Sequence, residues 1–406
     1  MGEEHLKRRI GLGLLTAYGV GVMVGAGIYV LVGAVAGAAG LWAPMAFLCA
    51  GMIAVPTALS YSEFSARIPE AAGEAAYVGR ALSSQLLAVL VGLAIVVAGT
   101  VSAAAVLRGG VGYLTAVMEV PEGAAMIVLG AGLTLVAVIG VLESLWLAAV
   151  FTAVEIIGLV LVFGAGMSAE PVAGFAAQEW LVLPDELALT GIAAGAALAF
   201  FAFIGFEDIV NMAEEVKEPE RNMPRAILIA LALTTLIYAG VSFAAVRAVE
   251  LRDLAGSEKP LVLVWEAGFG ATWAGSVVVL SAIAVFAALN GVLAQIVMAS
   301  RVLFGLGKRT ALLGVFHHAN TRTGTPVLAS VLIGAAVVGA AIALPVAVLA
   351  EGASSILLGV FMLVNLSLIV MKIREPEAPF RVWMAVPVVG LVLAGGALAV
   401  NLGGMG

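Results

Sequence analysis

The sequence has little charge, one cysteine and three histidines, and each shortage excludes a class of protein. Charged residues make up 11% of the 406 residues and hydrophobic ones 63%, whereas a soluble domain carries about 25% charged residues. The lone Cys49 allows neither an intramolecular disulfide nor a cysteine-based metal site. His5, His317 and His318 are too few and too badly spaced for a zinc centre. A net charge of −7 gives no basic surface for nucleic acid, so no such partner is expected.

Long apolar runs fill the rest of the chain, whose mean hydropathy is +1.16. A membrane-spanning helix needs about 20 apolar residues, and eleven such spans are predicted. They lie at roughly 10–37, 43–66, 84–107, 122–142, 145–167, 188–211, 226–246, 270–300, 326–345, 347–371 and 383–402. The sequence therefore predicts an all-α membrane protein that lives in a lipid bilayer. The first span resembles a secretory signal peptide, but it far exceeds the usual apolar length of about 7–15 residues, so we expect it to be retained.

The distribution of basic residues orients the spans. If residues 1–9 are cytoplasmic, fifteen of the nineteen Lys and Arg residues fall on the inner side and four on the outer side. Cytoplasmic loops carry such an excess. The sequence therefore predicts a multi-pass protein of the cell membrane with a cytoplasmic N-terminus and an extracellular C-terminus.

Two spans carry glycine where a helix would be interrupted. Span 1 contains several glycines between Gly19 and Gly27, and span 6 contains Gly205 just before Glu207 and Asp208. Glycine tolerates unwinding, although a single glycine motif in a membrane helix commonly serves packing. Interruptions at matching positions in two halves indicate a transporter binding site. This favours a LeuT-like 5+5 inverted repeat with broken spans 1 and 6.

In this interpretation the chain has four parts. They are the N-terminus 1–9, the first repeat 10–167, the second repeat 188–371, and one additional C-terminal helix 383–402.

Several motifs together resemble those of the amino acid–polyamine–organocation (APC) transporter superfamily. They are Met23-Val24-Gly25-Ala26-Gly27-Ile28-Tyr29, Tyr61-Ser62-Glu63-Phe64 with Pro69-Glu70-Ala71-Ala72-Gly73, Phe200-Phe201-Ala202-Phe203-Ile204-Gly205-Phe206-Glu207, and Glu214-Glu215 with Arg221-Asn222-Met223-Pro224. Members commonly have twelve spans, and here eleven are found. The resemblance implies a secondary active transporter of amino acids that works by alternating access, and not an enzyme.

The predicted substrate site uses backbone groups at the two breaks. Where a helix restarts, its first amides have no intrahelical partner and lie at the positive end of the helix dipole, so they suit a carboxylate. Carbonyls freed at the breaks suit an ammonium. The predicted carboxylate-binding amides follow Gly25 and belong to Ala26, Gly27 and Ile28, and the predicted ammonium-binding carbonyls belong to Met23, Phe201 and Ile204. The resemblance implies the same atoms.

Three side chains of span 6 receive predicted roles. Phe201 aligns with an aromatic residue that closes over substrate in relatives, so the resemblance implies a gate, with ordinary packing as the alternative. A carboxylate at membrane depth costs about 2.5–3.5 kcal/mol and is functional by default. Glu207 is therefore predicted to recognise a substrate amine or to sense protons, with Asp208 in ion coupling. The alternative is that Asp208 begins a wet vestibule.

Glu155 lies near the middle of span 5 among apolar neighbours. In proton-coupled relatives this position looks like a lysine, so the sign of the charge is inverted here. A carboxyl in apolar surroundings can hold a proton near neutral pH, so Glu155 is predicted to load and release one. Alternatively, ionised Glu155 and Ser281 of span 8 bind sodium, because hard cations favour oxygen ligands. A structural hydrogen bond is a third alternative. No other cofactor is predicted.

Other interpretations remain open. The expected substrate is an amino acid. The alternative is an amine, a polyamine or a cationic amino acid attracted by Glu207, moved by sodium coupling or by exchange. A membrane sensor that binds without transporting is a further alternative. An inner salt-bridge gate is also a hypothesis, with members Glu63, Arg67, Glu214, Glu215, Arg221 and Arg301.

Overall fold

A computed structural model describes most of the chain. The described residues are 10–24, 26–69, 73–115, 118–139, 145–173, 175, 184–270, 274–318, 320 and 325–404. Within these ranges the regular structure is helical, apart from one isolated bridge between Ile10 and Val216. The α-helices are α1 Leu12–Val24, α2 Ala26–Ala39, α3 Ala43–Arg67, α4 Gly73–Leu82, α5 Gln85–Thr115, α6 Glu122–Ile139, α7 Leu145–Ser168, α8 Glu186–Phe200, α9 Pro219–Ala248, α10 Leu251–Gly256, α11 Pro260–Phe269, α12 Ala274–Arg309, α13 Val327–Ala343, α14 Val346–Arg374 and α15 Ala385–Gly404.

The helices form a membrane-embedded bundle. Across the described ranges, nine helices are long and apolar enough to cross a membrane. Large apolar side chains such as Val128 and Leu236 are exposed on the outside of the bundle. Apolar surface on this scale indicates contact with lipid, because its exposure to water would be unfavourable.

Each of the eleven predicted spans overlaps at least one of the α-helices given above, although α13, with 17 residues, is shorter than the nine candidate spans. The loops differ from expectation. Span 8, predicted to end near residue 300, continues to Arg309. The outer loop predicted at 247–269 contains α10 and α11. Helix α11 has ten residues, too few to span a bilayer. Helix α4 lies in a predicted inner loop and buries seven of its ten residues. Short amphipathic helices of this kind escape a search for long apolar runs.

Small residues set the distances between the central helices. A Cβ atom at Gly51 of α3 would lie 2.5 Å from Oγ1 of Thr235 on α9. A Cβ atom at Gly110 of α5 would lie 2.5 Å from Cβ of Ala288 on α12. Close approach through small residues is typical of membrane helices, where van der Waals packing drives association.

Span 6 is broken where the sequence predicts it. Helix α8 ends at Phe200 and is followed by a 3₁₀ turn at Phe201–Phe203. Ile204 is extended, with ψ of 130°, and Gly205 has φ of +122°. A second 3₁₀ segment then runs over Glu207–Glu215. A φ of this size strains any residue with a side chain, so Gly205 is what permits the break.

The break in span 1 stays a prediction. Helix α1 ends at Val24 and α2 begins at Ala26, but Gly25 lies outside the described residues. Residues 1–9, predicted to be cytoplasmic, also lie outside them.

Candidate functional site

The broken part of span 6 packs directly against span 1. A Cβ atom at Gly27 would lie 2.9 Å from Cα of Ala202, and a Cβ atom at Gly205 would lie 3.1 Å from the carbonyl carbon of Val22. The first turn of α2 thus lies beside the 3₁₀ turn that precedes the break. This juxtaposition brings together the two backbone segments from which the substrate site was predicted.

The carbonyls predicted to be free are partly engaged. The carbonyl of Met23 accepts a hydrogen bond of 2.6 Å from the hydroxyl of Tyr238, and the carbonyl of Phe201 accepts one of 3.1 Å from the amide of Ile204. The expectation that these two carbonyls are unbonded was therefore wrong. The reason is that Tyr238 of α9 reaches across to the end of α1, and that a 3₁₀ turn uses the Phe201 carbonyl internally.

The side chains predicted at the site are buried. Ile28 is fully buried, and Phe201 and Ile204 are nearly so. Burial beside the break is compatible with a gate at Phe201, which stays a prediction. The backbone of Ala26, Gly27 and Ile28 forms the start of α2, as the carboxylate-binding prediction requires.

Glu207 and Asp208 are both buried and hydrogen-bonded. Oε2 of Glu207 accepts a bond of 2.9 Å from the amide of Gly205, so this carboxyl stabilises the break itself. Oδ2 of Asp208 accepts a bond of 3.0 Å from Nε2 of Gln295 on α12. Asp208 is only 5% exposed, contrary to the alternative in which it begins a wet vestibule. Neither the bond within Glu207's own loop nor the role of Gln295 was predicted.

A third buried carboxyl joins this group from outside the predicted spans. Glu74 of α4 is 5% exposed, contacts Tyr61, and lies within electrostatic reach of Asp208. Burial raises the pKa of Glu74 from its ordinary value of 4.5 to about 7, and the charge of Asp208 adds to the rise. The sequence placed Glu74 in a loop, so nothing indicated its burial.

Glu155 is buried in the middle of α7. It is 1% exposed and lies beside Asn290, yet neither carboxyl oxygen makes a hydrogen bond of ordinary geometry within the described residues. The hydroxyl of Tyr29 donates to its backbone carbonyl over 3.2 Å. Ser281 of α12 is also buried, and its hydroxyl has no hydrogen-bond partner in the described part of the chain. Ion coupling by Glu155 and Ser281 stays a prediction.

The predicted inner salt-bridge gate has different partners. Glu63 pairs with Arg67 at 2.6 Å and with Lys372 of α14 at 2.7 Å, all with buried side chains. Lys372 was not among the predicted members of the gate. Arg221 instead lies on the surface, 4.0 Å from Glu218.

Arg301 is exposed, and the side chains of Glu214 and Glu215 lie outside the described residues. The predicted pair of Glu63 and Arg67 is confirmed, whereas the exposed Arg301 was assigned to the gate wrongly. The second partner of Glu63 comes from a helix about 300 residues away, which the local sequence does not indicate.

Comparisons with known proteins give one consistent result. The model of the family described as "Amino acid permease" matches residues 10–403. The chain is 27% identical to the branched-chain amino acid permease BcaP of Bacillus subtilis over 402 residues, covering 93% of this chain and 84% of that protein. It is 29% identical to the vacuolar cationic amino acid transporter 2 of Arabidopsis thaliana, covering 82% and 54%. It is 30% identical to mouse cationic amino acid transporter 4, covering 84% and 56%, so it spans just over half of these two longer relatives.

Proposed function

The chain belongs to the amino acid permease family, and on that premise we propose that it is a secondary active transporter that moves amino acids by alternating access. It is a multi-pass membrane protein. The proposed setting is the cell membrane, with the N-terminus in the cytoplasm and the C-terminus outside. The single observation that carries the proposal is the break of span 6 at Ile204–Gly205, packed against the start of α2.

The proposed architecture is the 5+5 inverted repeat. Residues 10–167 form one half, residues 188–371 the other, and residues 383–402 an additional helix. In support, span 6 is broken, and the glycine-rich stretch of span 1 lies at the matching place and in contact with it. Irregular backbone at membrane depth is tolerated only where it is buried in protein or lines a cavity. The break is buried here, as a site that opens and closes requires.

The proposed substrate grip uses the backbone. The amides of Ala26, Gly27 and Ile28 hold the substrate carboxylate, and carbonyls around the break hold the ammonium. The support is that these atoms lie at helix ends, and that a carbonyl oxygen with one hydrogen bond keeps a second lone pair for the ammonium. Phe201 closes over the bound molecule.

Glu155 is the proposed proton carrier. A buried carboxyl without an ion-pair partner among the described residues is held more easily in its neutral form, since desolvation penalises the charge. Protonation on one side of the membrane and release on the other would then accompany each transport cycle. The alternative is a sodium ion between Glu155 and Ser281, whose hydroxyl is also without a partner among the described residues.

The proposal is tested in proteoliposomes with labelled L-leucine and L-arginine under an imposed inward proton gradient. We expect the wild type to accumulate at least one of them. Glu155→Gln should lose gradient-driven accumulation at least tenfold while retaining substrate exchange. The matched control is Glu218→Gln, at an exposed glutamate that should behave as the wild type.

Other outcomes separate the alternatives. If Glu155→Gln kept its full dependence on the proton gradient, the proton role would be wrong. Uptake driven by sodium and reduced by Ser281→Ala would establish the sodium alternative. Binding of either amino acid without any flux would identify a sensor and overturn transport altogether.

A cationic substrate is the second candidate, favoured by one specific observation. Three buried carboxyls, from Glu74, Glu207 and Asp208, lie near the break, and such a group suits a positively charged side chain. Under this alternative, Glu207→Gln should reduce arginine uptake by at least tenfold more than leucine uptake. Equal losses for both substrates would contradict it.

A further inference from the structure

The hydroxyl of Tyr238 contacts the backbone of both span 1 and span 6. The hydroxyl oxygen of Tyr238, on α9, lies 2.6 Å from the carbonyl oxygen of Met23 and 3.0 Å from that of Ala202. Met23 belongs to the last turn of α1, and Ala202 to the 3₁₀ turn before the span 6 break. A single side chain of a third helix therefore contacts the backbone of both segments.

The position of this hydroxyl is fixed by packing. The Tyr238 ring is fully buried and meets Phe203 and Phe47 edge to face, with ring centroids 5.3 and 5.8 Å apart. Edge-to-face contacts hold aromatic rings in a defined orientation. The hydroxyl is thus directed at the two carbonyls and has little freedom to turn elsewhere.

The three oxygens share too few hydrogens. A tyrosine hydroxyl donates one hydrogen and accepts through its oxygen, whereas each carbonyl only accepts. The hydrogen of Tyr238 can serve one carbonyl well at any moment, so the other lacks a donor from it. An ammonium brings three N–H donors to such a cluster of acceptors.

We propose that Tyr238 is an ammonium-binding residue, whose hydroxyl completes with the carbonyls of Met23 and Ala202 the acceptor set for the substrate's amino group. This assignment rests on the proposed function and adds a side chain to a site otherwise made of backbone. Before substrate arrives, the hydroxyl donates its hydrogen to one of the two carbonyls and holds the end of α1 beside the turn before the span 6 break. When the ammonium enters, its N–H groups bond to the other carbonyl and to the hydroxyl oxygen, which keeps its own hydrogen on the first.

Tyr238→Phe tests the assignment, because it keeps the ring and its contacts and removes only the hydroxyl. The probe is L-leucine or L-arginine, whichever the wild type accumulates in proteoliposomes. Hydrogen bonds to charged groups are worth about 1.5–3 kcal/mol, so we expect KM to rise about 10- to 100-fold. The maximal rate should stay within about threefold, because later steps do not use this contact.

The control is Tyr113→Phe, which removes an equally buried hydroxyl bonded to the carbonyl of Tyr29. Inhibition by the deaminated analogue of the probe is a second readout, and Tyr238→Phe should leave it unchanged, since no ammonium is present. Thermal unfolding in detergent reports any loss of structure.

Two results overturn the assignment. One is a KM for Tyr238→Phe within twofold of the wild-type value. The other is a loss of maximal rate and melting temperature without a change in KM, which identifies a structural hydroxyl. If the wild type transports neither amino acid, the proposed function itself fails, and this assignment fails with it.

Discussion

Two regions of this protein bury carboxyl groups, and they differ in the partners that those carboxyls have. The first, the anchor, consists of Glu63, Arg67 and Lys372. The Glu63 carboxylate accepts hydrogen bonds from both basic side chains and from the amide of Val382. It thereby ties the end of α3 to the end of α14 and to the connection into α15.

The second region, the break region, consists of Ile204–Asp208 and Glu74. Its carboxyls bond to a backbone amide and to the amide of Gln295, and none of the ion pairs found among the described residues includes them. A buried charge with a full set of partners fixes its surroundings, while one without a cation responds to an arriving proton or amine. The contrast separates a fixed joint from a part that can change state.

The largest expected effect breaks the anchor. Glu63→Gln should lower the free energy of unfolding by about 3–5 kcal/mol, because it leaves Lys372 and Arg67 buried without their counter-charge. Thermal unfolding of the purified protein in detergent measures the change. Glu218→Gln, at an exposed pair, should change stability by less than about 1 kcal/mol.

The double variant Glu63→Leu with Lys372→Leu sharpens this test. Replacing both charges should cost less than removing Glu63 alone, since only Arg67 then lacks its counter-charge and its guanidinium keeps hydrogen bonds to two backbone carbonyls. A single variant as stable as the wild type would show that the anchor does not hold α3 to α14.

A smaller effect is expected at the break itself. Gly205→Ala places a side chain at φ of +122° and a Cβ 2.7 Å from Val22. Backbone strain of roughly 1–3 kcal/mol should follow, and transport should fall more than stability because spans 1 and 6 are forced apart. Gly396→Ala on α15, with open space around it, is the matched control. Full transport activity in Gly205→Ala would show that transport does not depend on the geometry of the break.

The smallest effect is a pH dependence from Glu74. Its pKa in the folded protein, about 7, lies above the ordinary value of 4.5, so the folded state binds more protons between these values. Stability should therefore fall as pH rises from about 4.5 to 7 and level off above that.

Melting temperatures from pH 4.5 to 8 measure this dependence. Glu74→Gln should flatten the profile relative to the wild type, with Tyr61, Glu207 and Asp208 still facing the substituted residue. A wild-type profile that rises over the same range would contradict the assignment, since it would mean that Glu74 is stabilised in its charged form.

Much of the fold could be predicted because membrane-spanning helices are recognisable from their apolar composition. Apolar length located the spans, and Gly205 located the break, since only glycine fits its backbone angles. The helices α4 and α10 could not be found in this way. Helix α4 buries seven of its ten residues and α10 buries Leu254, and local hydropathy does not indicate such tertiary contacts.

The site was predictable in its backbone and less so in its side chains. Glu155, Glu207 and Asp208 stand out because a carboxyl at membrane depth is rare. Tyr238 and Lys372 were missed, because their partners lie hundreds of residues away in the sequence. The available signal for Tyr238 was its position as a lone tyrosine in the apolar centre of span 7. Lys372 at a helix end is typical of any inner boundary.

The short backbone pairing between Ile10 and Val216 has a consequence for motion. Ile10 precedes α1, and Val216 follows the 3₁₀ segment of span 6; the amide of Lys217 also donates to the carbonyl of Ile10. The start of span 1 and the end of span 6 are thus hydrogen-bonded to each other, although some 200 residues separate them. Spectroscopic labels beside Ile10 and beside Val216 should report the same displacement, and loss of these backbone hydrogen bonds would let the two segments move independently.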